Sequence, residues 1–189
     1  MELQRYSYDS YVIRRQVLKL IGAAFHIYNP NEELVFYVNQ KGFKLKEDIR
    51  VFTDETMSQE VISIKSKKVI DISATYEIID SNTNEKVGSL RRKGLKSILK
   101  DEWIVLDAYD NEIGNIKEDN IGLALLRRFI GIIPQSFVGK VNDNKAFTLK
   151  QNFNPFVLKI NLDFLDNSFD KRLGIAASIL ISSIEGRQG

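Results

Sequence analysis

Residues 173–184 constrain the fold of this chain more than any other stretch. They carry no charge and no proline, and only Gly, Ala and Ser dilute the Ile and Leu residues. A helix that is apolar on every side is surrounded either by protein or by lipid. The run is well short of the roughly 20 apolar residues that a membrane-spanning helix needs. Asn167, Ser168 and Asp170 offer an N-cap and a first-turn carboxylate, and Gly186 offers a C-terminal stop. We therefore interpret the run as a buried central helix that the upstream chain surrounds.

The upstream chain alternates apolar with polar residues in short runs. These runs are rich in β-branched and aromatic residues and are bounded by Asn, Asp and Gly, which is the pattern of strands and turns. The pattern predicts strands over residues 11–20, 25–28, 34–38, 49–52, 61–64, 74–79, 87–91, 103–106, 113–116, 137–141, 146–149 and 156–160.

An internal repeat supports three of the predicted hairpins. Each copy opens on an aromatic residue, has a β-branched residue two positions later, and turns at an Asn or Asp that can bond its own backbone. The three copies begin at Phe25, Tyr76 and Trp103 and turn at Asn29, Asp80 and Asp107.

Many short antiparallel strands must close into a barrel or pair into a sandwich to protect their edges. A barrel of about twelve strands is too wide for side chains alone to fill, because they fill roughly eight. The apolar helix supplies the filling. The predicted fold is mainly β: a closed antiparallel barrel of about 12 strands around a central hydrophobic C-terminal helix, in a single domain spanning 1–189 with a core over 11–184.

A second helix, which is amphipathic, is predicted over residues 121–133 and is ended by Pro134. Arg127 and Arg128 lie together on its otherwise apolar surface. Two interpretations stay open: the helix plugs or caps one end of the barrel, or it lies on a membrane surface.

Composition removes several classes of function. The chain of 189 residues has no cysteine and a single histidine, His26, which excludes thiolate sites, cysteine nucleophiles and the usual His-rich zinc site. His26 lies between Phe25 and Ile27, so it should point to solvent as a surface histidine if its neighbours face the core. The carboxylates between Asp107 and Glu112 lack EF-hand spacing and are interpreted as turn residues. No phosphate loop or nucleophile elbow appears, so we expect no enzyme, cofactor or metal.

Anion binding is the chemistry that local charge favours, although the net charge is only +2. Two arginines and three lysines within ten positions can hold phosphates. The predicted head-group site is Arg91, Arg92, Lys93, Lys96 and Lys100, with a secondary cluster of Lys65, Lys67 and Lys68 and a third pair of Lys44 and Lys46. The competing interpretation is that these side chains are solvated and protect sheet edges from aggregation. Nucleic acid is disfavoured, because the aromatic residues alternate as core residues do and form no stacking platform.

Three stretches resemble a known superfamily. They are residues 87–107 (VGSLRRKGLKSILKDEWIVLD), residues 112–118 (EIGNIKE) and residues 169–173 (FDKRL). Together they are similar to the tubby-like C-terminal domain superfamily of phospholipid scramblases and LURP-one-related proteins, and the chain looks most like its small prokaryotic members. The resemblance covers about 11–184 and implies a twelve-stranded barrel around a C-terminal helix. It also implies phosphoinositide binding by basic side chains in some members and membrane association in others.

Two departures limit what the resemblance carries over. Scramblases have a proline-rich N-terminal arm and lipid-accepting cysteines, whereas this chain has ten residues before its first predicted strand and no cysteine. The phosphoinositide-binding residues of tubby domains do not align with this chain, so none is transferred.

The resulting hypothesis is a cytoplasmic, non-enzymatic tubby-like domain that binds anionic phospholipid or phosphoinositide head groups peripherally at a membrane. The alternative is a protein-interaction or scaffold domain without a lipid ligand, which uses an exposed barrel face or the helix over 121–133. Salt separates the two, because lipid docking weakens at high ionic strength and an apolar interface does not.

Overall fold

A computed structural model describes residues 3–18, 22–41, 48–67, 74–93, 102–119, 134–152 and 158–185. These residues form a short 3-10 helix (Leu3–Tyr6), twelve β-strands and one α-helix, α1 (Lys171–Glu185). The strands are β1 (Ser10–Leu18), β2 (Gly22–Tyr28), β3 (Leu34–Lys41), β4 (Ile49–Phe52), β5 (Glu60–Lys67), β6 (Thr75–Asp80), β7 (Lys86–Arg92), β8 (Glu102–Leu106), β9 (Glu112–Glu118), β10 (Ser136–Val141), β11 (Asn144–Gln151) and β12 (Leu158–Phe164).

The twelve strands form one closed antiparallel barrel in which each strand pairs with its neighbours in sequence. The first strand closes the barrel against the last, with Ile13 opposite Ile160. Closure leaves no free sheet edge, which is the solution that many short strands require. The predicted fold class is therefore confirmed.

Strand alternation separates the two faces of the wall. Large apolar side chains on the inner face are almost completely buried, among them Phe25, Tyr76, Trp103 and Phe147. The inner space is filled by α1, which packs against β5, β6, β7 and β12. A twelve-stranded barrel without such a filler would enclose a void wider than its own side chains can close.

The helix α1 begins and is buried as its sequence predicts. Asp170 is the N-cap, because its Oδ1 accepts a hydrogen bond from the Arg172 backbone N–H at 3.0 Å. Every residue from Leu173 to Ser183 is buried. Two of the buried serines are tolerated there because Ser178 Oγ donates to the Ile175 carbonyl at 2.7 Å, and Ser182 Oγ donates to the Ser178 carbonyl.

The repeated Asn and Asp turns are confirmed. The side-chain Oδ1 of Asn29 accepts from the backbone N–H of Asn31 at 3.0 Å, and that of Asp107 accepts from Tyr109 at 2.8 Å. Asp80 accepts from Asn82 in the same way at 2.9 Å. Two further turns, which the sequence pattern did not include, use Asp54 and Asp166 in the same role. In such turns the side-chain oxygen takes the place of a backbone acceptor, which stabilises a tight reversal of the chain.

These turns define the two ends of the barrel. The turns that follow β2, β4, β6, β8, β10 and β12 all lie at the end where α1 begins, which we call the turn end. The strands β3, β5, β7 and β9 end at the opposite end, where α1 also ends, which we call the connection end.

The structure differs from the sequence predictions mainly in extent. The last strand runs on to Phe164, beyond the predicted limit at 160, because Leu162 and Phe164 continue its inward alternation. The 3-10 helix at the start was not predicted; it packs the Tyr6 ring against Phe36, with ring centroids 5.1 Å apart. The amphipathic helix predicted over 121–133 lies outside the described residues.

Candidate functional site

The predicted basic cluster is divided by the alternation of β7. Leu90 is buried in the core, and Arg92 lies on the same inner face, opposite the buried Trp103. Arg91 and Lys93 therefore lie on the outer face. Three consecutive cations in the sequence thus do not form one site, and two of them face solvent.

Register brings the secondary cluster beside the first. Lys67 on β5 lies opposite Thr75 on β6, and Thr75 lies opposite Arg91 on β7. Lys65 lies opposite Glu77 in the same way. Two clusters that are separated in sequence therefore share one outer surface. We call this surface the basic wall and define it as Lys65, Lys67, Arg91, Lys93 and Lys117.

Lys117 joins the wall through a carboxylate that two lysines share. Glu102 Oε1 lies 2.7 Å from Lys93 Nζ and 3.2 Å from Lys117 Nζ. Burial of the Glu102 carboxyl raises its pKa, but the hydrogen bonds and charges of the two lysines outweigh burial and hold the pKa below its usual range. The carboxylate is therefore ionised at neutral pH, and the trio keeps one excess positive charge.

Glu77 forms a second shared arrangement. Its Oε1 lies 2.6 Å from Lys67 Nζ and 3.4 Å from Lys86 Nζ. The hydrogen bond to Glu77 raises the pKa of Lys67. Lys86 also bonds Asp110 Oδ1 at 2.6 Å on its other side, which leaves Lys67 as the cation that extends into the wall.

The remaining two cations of the wall are held loosely. Arg91 is 3.9 Å from the nearest Glu112 oxygen, a distance longer than a hydrogen bond. Lys65 is exposed on the outer face of β5. The wall therefore has five cations around two shared carboxylates, Glu77 and Glu102. This arrangement favours the binding of anions, and Glu77 and Glu102 each keep a lysine partner.

Sequence reasoning missed Lys117, although a signal for it was present. Ile116 is the last apolar residue of the strand predicted over 113–116 and is fully buried, so its neighbour Lys117 faces outward. The pairing of Lys117 with Glu102 was not readable, because it depends on the register between β8 and β9. The predicted residues Lys44, Lys46, Lys68, Lys96, Lys100, Arg127 and Arg128 lie outside the described residues.

The prediction that His26 is a solvated surface residue was wrong. Phe25 and Ile27 do face the core, so His26 is on the outer face as expected, but it is only 9% exposed. The turn after β4 covers it: His26 Nε2 lies 2.8 Å from Glu55 Oε1. The Tyr37 ring packs edge-on against it, with centroids 5.1 Å apart. The alternation of residues within a strand does not indicate whether a loop from elsewhere in the chain covers that strand.

An ion-pair cluster fastens the start of α1 to the turn end. Arg172 Nη1 lies 2.6 Å from Asp80 Oδ2, and Arg172 Nη2 lies 2.6 Å from Asp170 Oδ2. Burial raises the pKa of Asp80, but the hydrogen bonds from Arg172 and from the turn amides outweigh it and lower the pKa. Burial, together with the nearby Asp80 charge, raises the pKa of Tyr6 beside them.

A cleft of about 460 Å³ opens at the turn end beside the first turn of α1. Val87, Ile113 and Val141 supply apolar lining, and Asp107 and Asp166 supply carboxylates. Hydrogen bonds within their own turns hold the pKa of each of these two carboxylates below its usual range. The predicted role of the acidic residues after β8 as turn residues is confirmed for Asp107.

Two further features are absent from the described residues. Within these ranges, no group of three or more His, Asp or Glu side chains is arranged to hold a metal ion. In the same part of the chain, no helix combines the length and apolarity needed to cross a bilayer.

A closed twelve-stranded antiparallel barrel filled by its own C-terminal helix is the architecture of the tubby-like C-terminal domain superfamily. The LURP-one-related family model, which belongs to that superfamily, matches residues 10–103 and 34–182. The chain is therefore a member of the LURP-one-related family, which confirms the resemblance seen in its sequence. Neither a curated protein nor a solved structure matches it.

Proposed function

We propose that this chain is a non-enzymatic binding domain that docks peripherally at the cytoplasmic surface of a membrane. In this proposal the basic wall binds anionic phospholipid head groups, phosphoinositides among them. The observation that carries the proposal is the sharing of Glu102 between two lysines, Lys93 and Lys117. A carboxylate that is shared in this way orders its lysines and still leaves positive charge for a phosphate.

The charge of the wall sets the strength of docking that the proposal expects. Attraction to an anionic leaflet contributes about 1 kcal/mol per basic residue near the surface and is weakened by salt. Five cations therefore support weak, reversible docking and not a permanent anchor. Of the predicted cluster, the proposal uses Arg91 and Lys93; Lys96 and Lys100 stay predictions, and Arg92 lies on the inner face.

Co-sedimentation with vesicles tests the proposal. The test variant replaces Lys65, Lys67 and Lys93 with Gln, which leaves Lys86 beside Glu77 and Lys117 beside Glu102, so no carboxylate loses every cation. The control variant replaces Lys140, Lys145 and Lys150 with Gln, three exposed lysines on β10 and β11. Both variants lose the same charge, so only the position of that charge differs.

We expect the native chain and the control to sediment with vesicles that contain phosphatidylglycerol or a phosphoinositide at low salt, and to sediment less at physiological salt. Neutral phosphatidylcholine vesicles should retain neither. The test variant should lose most of the binding to anionic vesicles, by about tenfold or more, since three cations near the surface contribute about 1 kcal/mol each. Equal binding by the test and control variants would overturn the role of the wall.

A protein-interaction domain is the second candidate. Two of the exposed large apolar side chains, Tyr109 and Leu165, lie in the turns that carry Asp107 and Asp166 at the cleft. Exposed apolar residues beside a concave surface are common at protein interfaces. If no vesicle binding occurs at either salt concentration, this candidate becomes the better explanation, and a partner bound there should resist high salt.

A further inference from the structure

The cleft beside α1 has apolar walls that are not fully used by the core. Val87 on β7, Ile113 on β9 and Val141 on β10 all line it, and all three are only half-buried. The first turn of α1 adds Leu173 to the lining. Aliphatic side chains that stay partly exposed around a concave surface still have apolar area for an occupant to bury. The cleft therefore favours a ligand that has an apolar group of its own.

Two of the carboxylates that line the cleft have no cation. Asp170 is paired with Arg172, whose Nη2 lies 2.6 Å from Asp170 Oδ2. Asp107 and Asp166 are half-buried and bond only the amides and side chains of their own turns, so in the described part of the chain neither forms an ion pair. A half-buried carboxylate without a cation attracts one from a ligand.

The bases at the turn end are already paired with other carboxylates. Lys86 Nζ lies 2.6 Å from Asp110 Oδ1 and 3.4 Å from Glu77 Oε1. The hydrogen bond from Asn111 is the main cause of the lowered pKa of Asp107, and the charge of Lys86 is a minor one. Arg14 and Lys171 are paired in the same way, with Glu32 and Asp9 respectively. The unpaired negative charge is therefore a local property of the cleft and not of the whole turn end.

Two exposed apolar side chains extend this surface beyond the cleft. Tyr109 is 86% exposed and Leu165 is 56% exposed, and they lie in the turns that hold Asp107 and Asp166. An arginine or lysine packs its aliphatic stem on such a side chain while its charged head reaches a carboxylate. A free amine is too small to cover the cleft and both of these side chains. The extended surface therefore favours a longer ligand.

We propose that the cleft binds a segment of a partner protein that presents an arginine or lysine beside an apolar residue. The cation binds at Asp107 and Asp166, the apolar residue enters the cleft, and Tyr109 packs over the bound segment. This inference goes beyond lipid docking and does not depend on it, because the cleft shares no residue with the basic wall.

Fluorescence anisotropy with short labelled peptides tests this proposal. The probes are a panel of peptides in which one or two arginines stand at different spacings from a leucine. The test variant combines Asp107→Asn with Asp166→Asn, since an asparagine holds the same kind of turn at Asn29. The control combines Asp54→Asn with Glu85→Gln, which removes the same charge at positions that do not line the cleft.

We expect the native chain and the control to bind at least one peptide of the panel equally well. The test variant should bind it about fivefold more weakly or worse, because two charge pairs are lost. Tyr109→Ser should also weaken binding, since it removes an exposed ring without touching the core. Replacing the arginines of the peptide with glutamate, or its leucine with serine, should abolish binding.

Four outcomes would overturn the proposal. They are binding by no peptide of the panel, equal weakening in the test and control variants, competition by free arginine amide as strong as by unlabelled peptide, and self-association of the native chain that the test variant abolishes. The third outcome would indicate a small-cation site, and the fourth would assign the cleft to a second copy of this chain. Vesicle co-sedimentation of the test variant should match the native chain, so a failure here is distinguishable from a failure of the proposed function.

Discussion

Two ion-pair clusters in this molecule have opposite ratios of cations to carboxylates. At the start of α1 one cation, Arg172, is shared by two carboxylates, Asp80 and Asp170. On the basic wall one carboxylate, Glu102, is shared by two lysines. The two carboxylates are similarly buried, with Asp80 11% and Glu102 15% exposed, but the cations differ: Arg172 is 31% exposed, whereas Lys93 and Lys117 are 47% and 46% exposed and each leaves the other beside Glu102 when it is removed.

The difference indicates what each cluster can do. A largely buried carboxylate needs its partner, because removing that partner leaves an uncompensated charge in a medium of low dielectric constant. Exposed lysines are solvated with or without a partner, so their pairing contributes little to stability and their excess charge is free to act on a ligand. The first cluster therefore holds the fold, and the second leaves charge available for binding.

The largest expected effect on folding comes from introducing a carboxylate at a buried position that has no cation nearby. Ile179 is fully buried in the middle of α1, and Ile179→Asp should abolish soluble folding, because nothing there compensates a buried charge. The measurement is soluble yield and circular dichroism. As a control, Ile179→Val should fold and lose only about 1 kcal/mol. A soluble, folded Ile179→Asp protein would contradict the central position of the helix.

The next largest effect compares the contributions of the two clusters to stability directly. Arg172→Ala removes the arginine that Asp80 and Asp170 share and should lower the free energy of unfolding by about 2 kcal/mol, below the ~3–5 kcal/mol of a fully buried pair. Lys93→Ala on the wall should change it by no more than about 0.5 kcal/mol. Urea unfolding of both variants measures the contrast. Equal losses would show that exposure does not distinguish the clusters.

The smallest expected effect is a change in how stability depends on pH. The pKa of Asp80 is lowered in the folded protein, so its stabilisation is present above the unfolded-state pKa of about 3.9 and is lost as pH falls through the folded-state pKa. The native protein should therefore be more stable than Asp80→Asn at pH 7, and the difference should shrink in acid below about pH 4. Unfolding of both proteins across that range gives the comparison; a difference that is constant with pH would count against the ion pair.

Much of the architecture was predictable because it repeats short-range rules. Period-two alternation placed all twelve strands, and the uncharged run near the C-terminus identified α1 as the filling of the barrel. The Asn29, Asp80 and Asp107 turns were readable because each bond joins a side chain to a backbone amide within a few residues.

The candidate site was only half predictable, for a physical reason. Alternation along β7 determines which of its residues face outward. The predicted cluster nevertheless included both Arg91 and Arg92, which lie on opposite faces of the strand. Which residues of neighbouring strands lie at one level depends on register. Register places Lys67 and Arg91 at the same level on either side of β6, and it pairs Glu102 with Lys117. The burial of His26 likewise depends on a loop from another hairpin.

The order of synthesis gives the central helix a further consequence. All twelve strands precede α1 in the chain, yet α1 is the element around which they close. During translation, which proceeds at roughly 5–20 residues per second, the strands leave the ribosome with apolar inner faces and no core to bury them. The barrel therefore cannot close around its central helix until α1 has been synthesised, so a newly made chain exposes apolar strand faces for longer than a chain whose core helix came first.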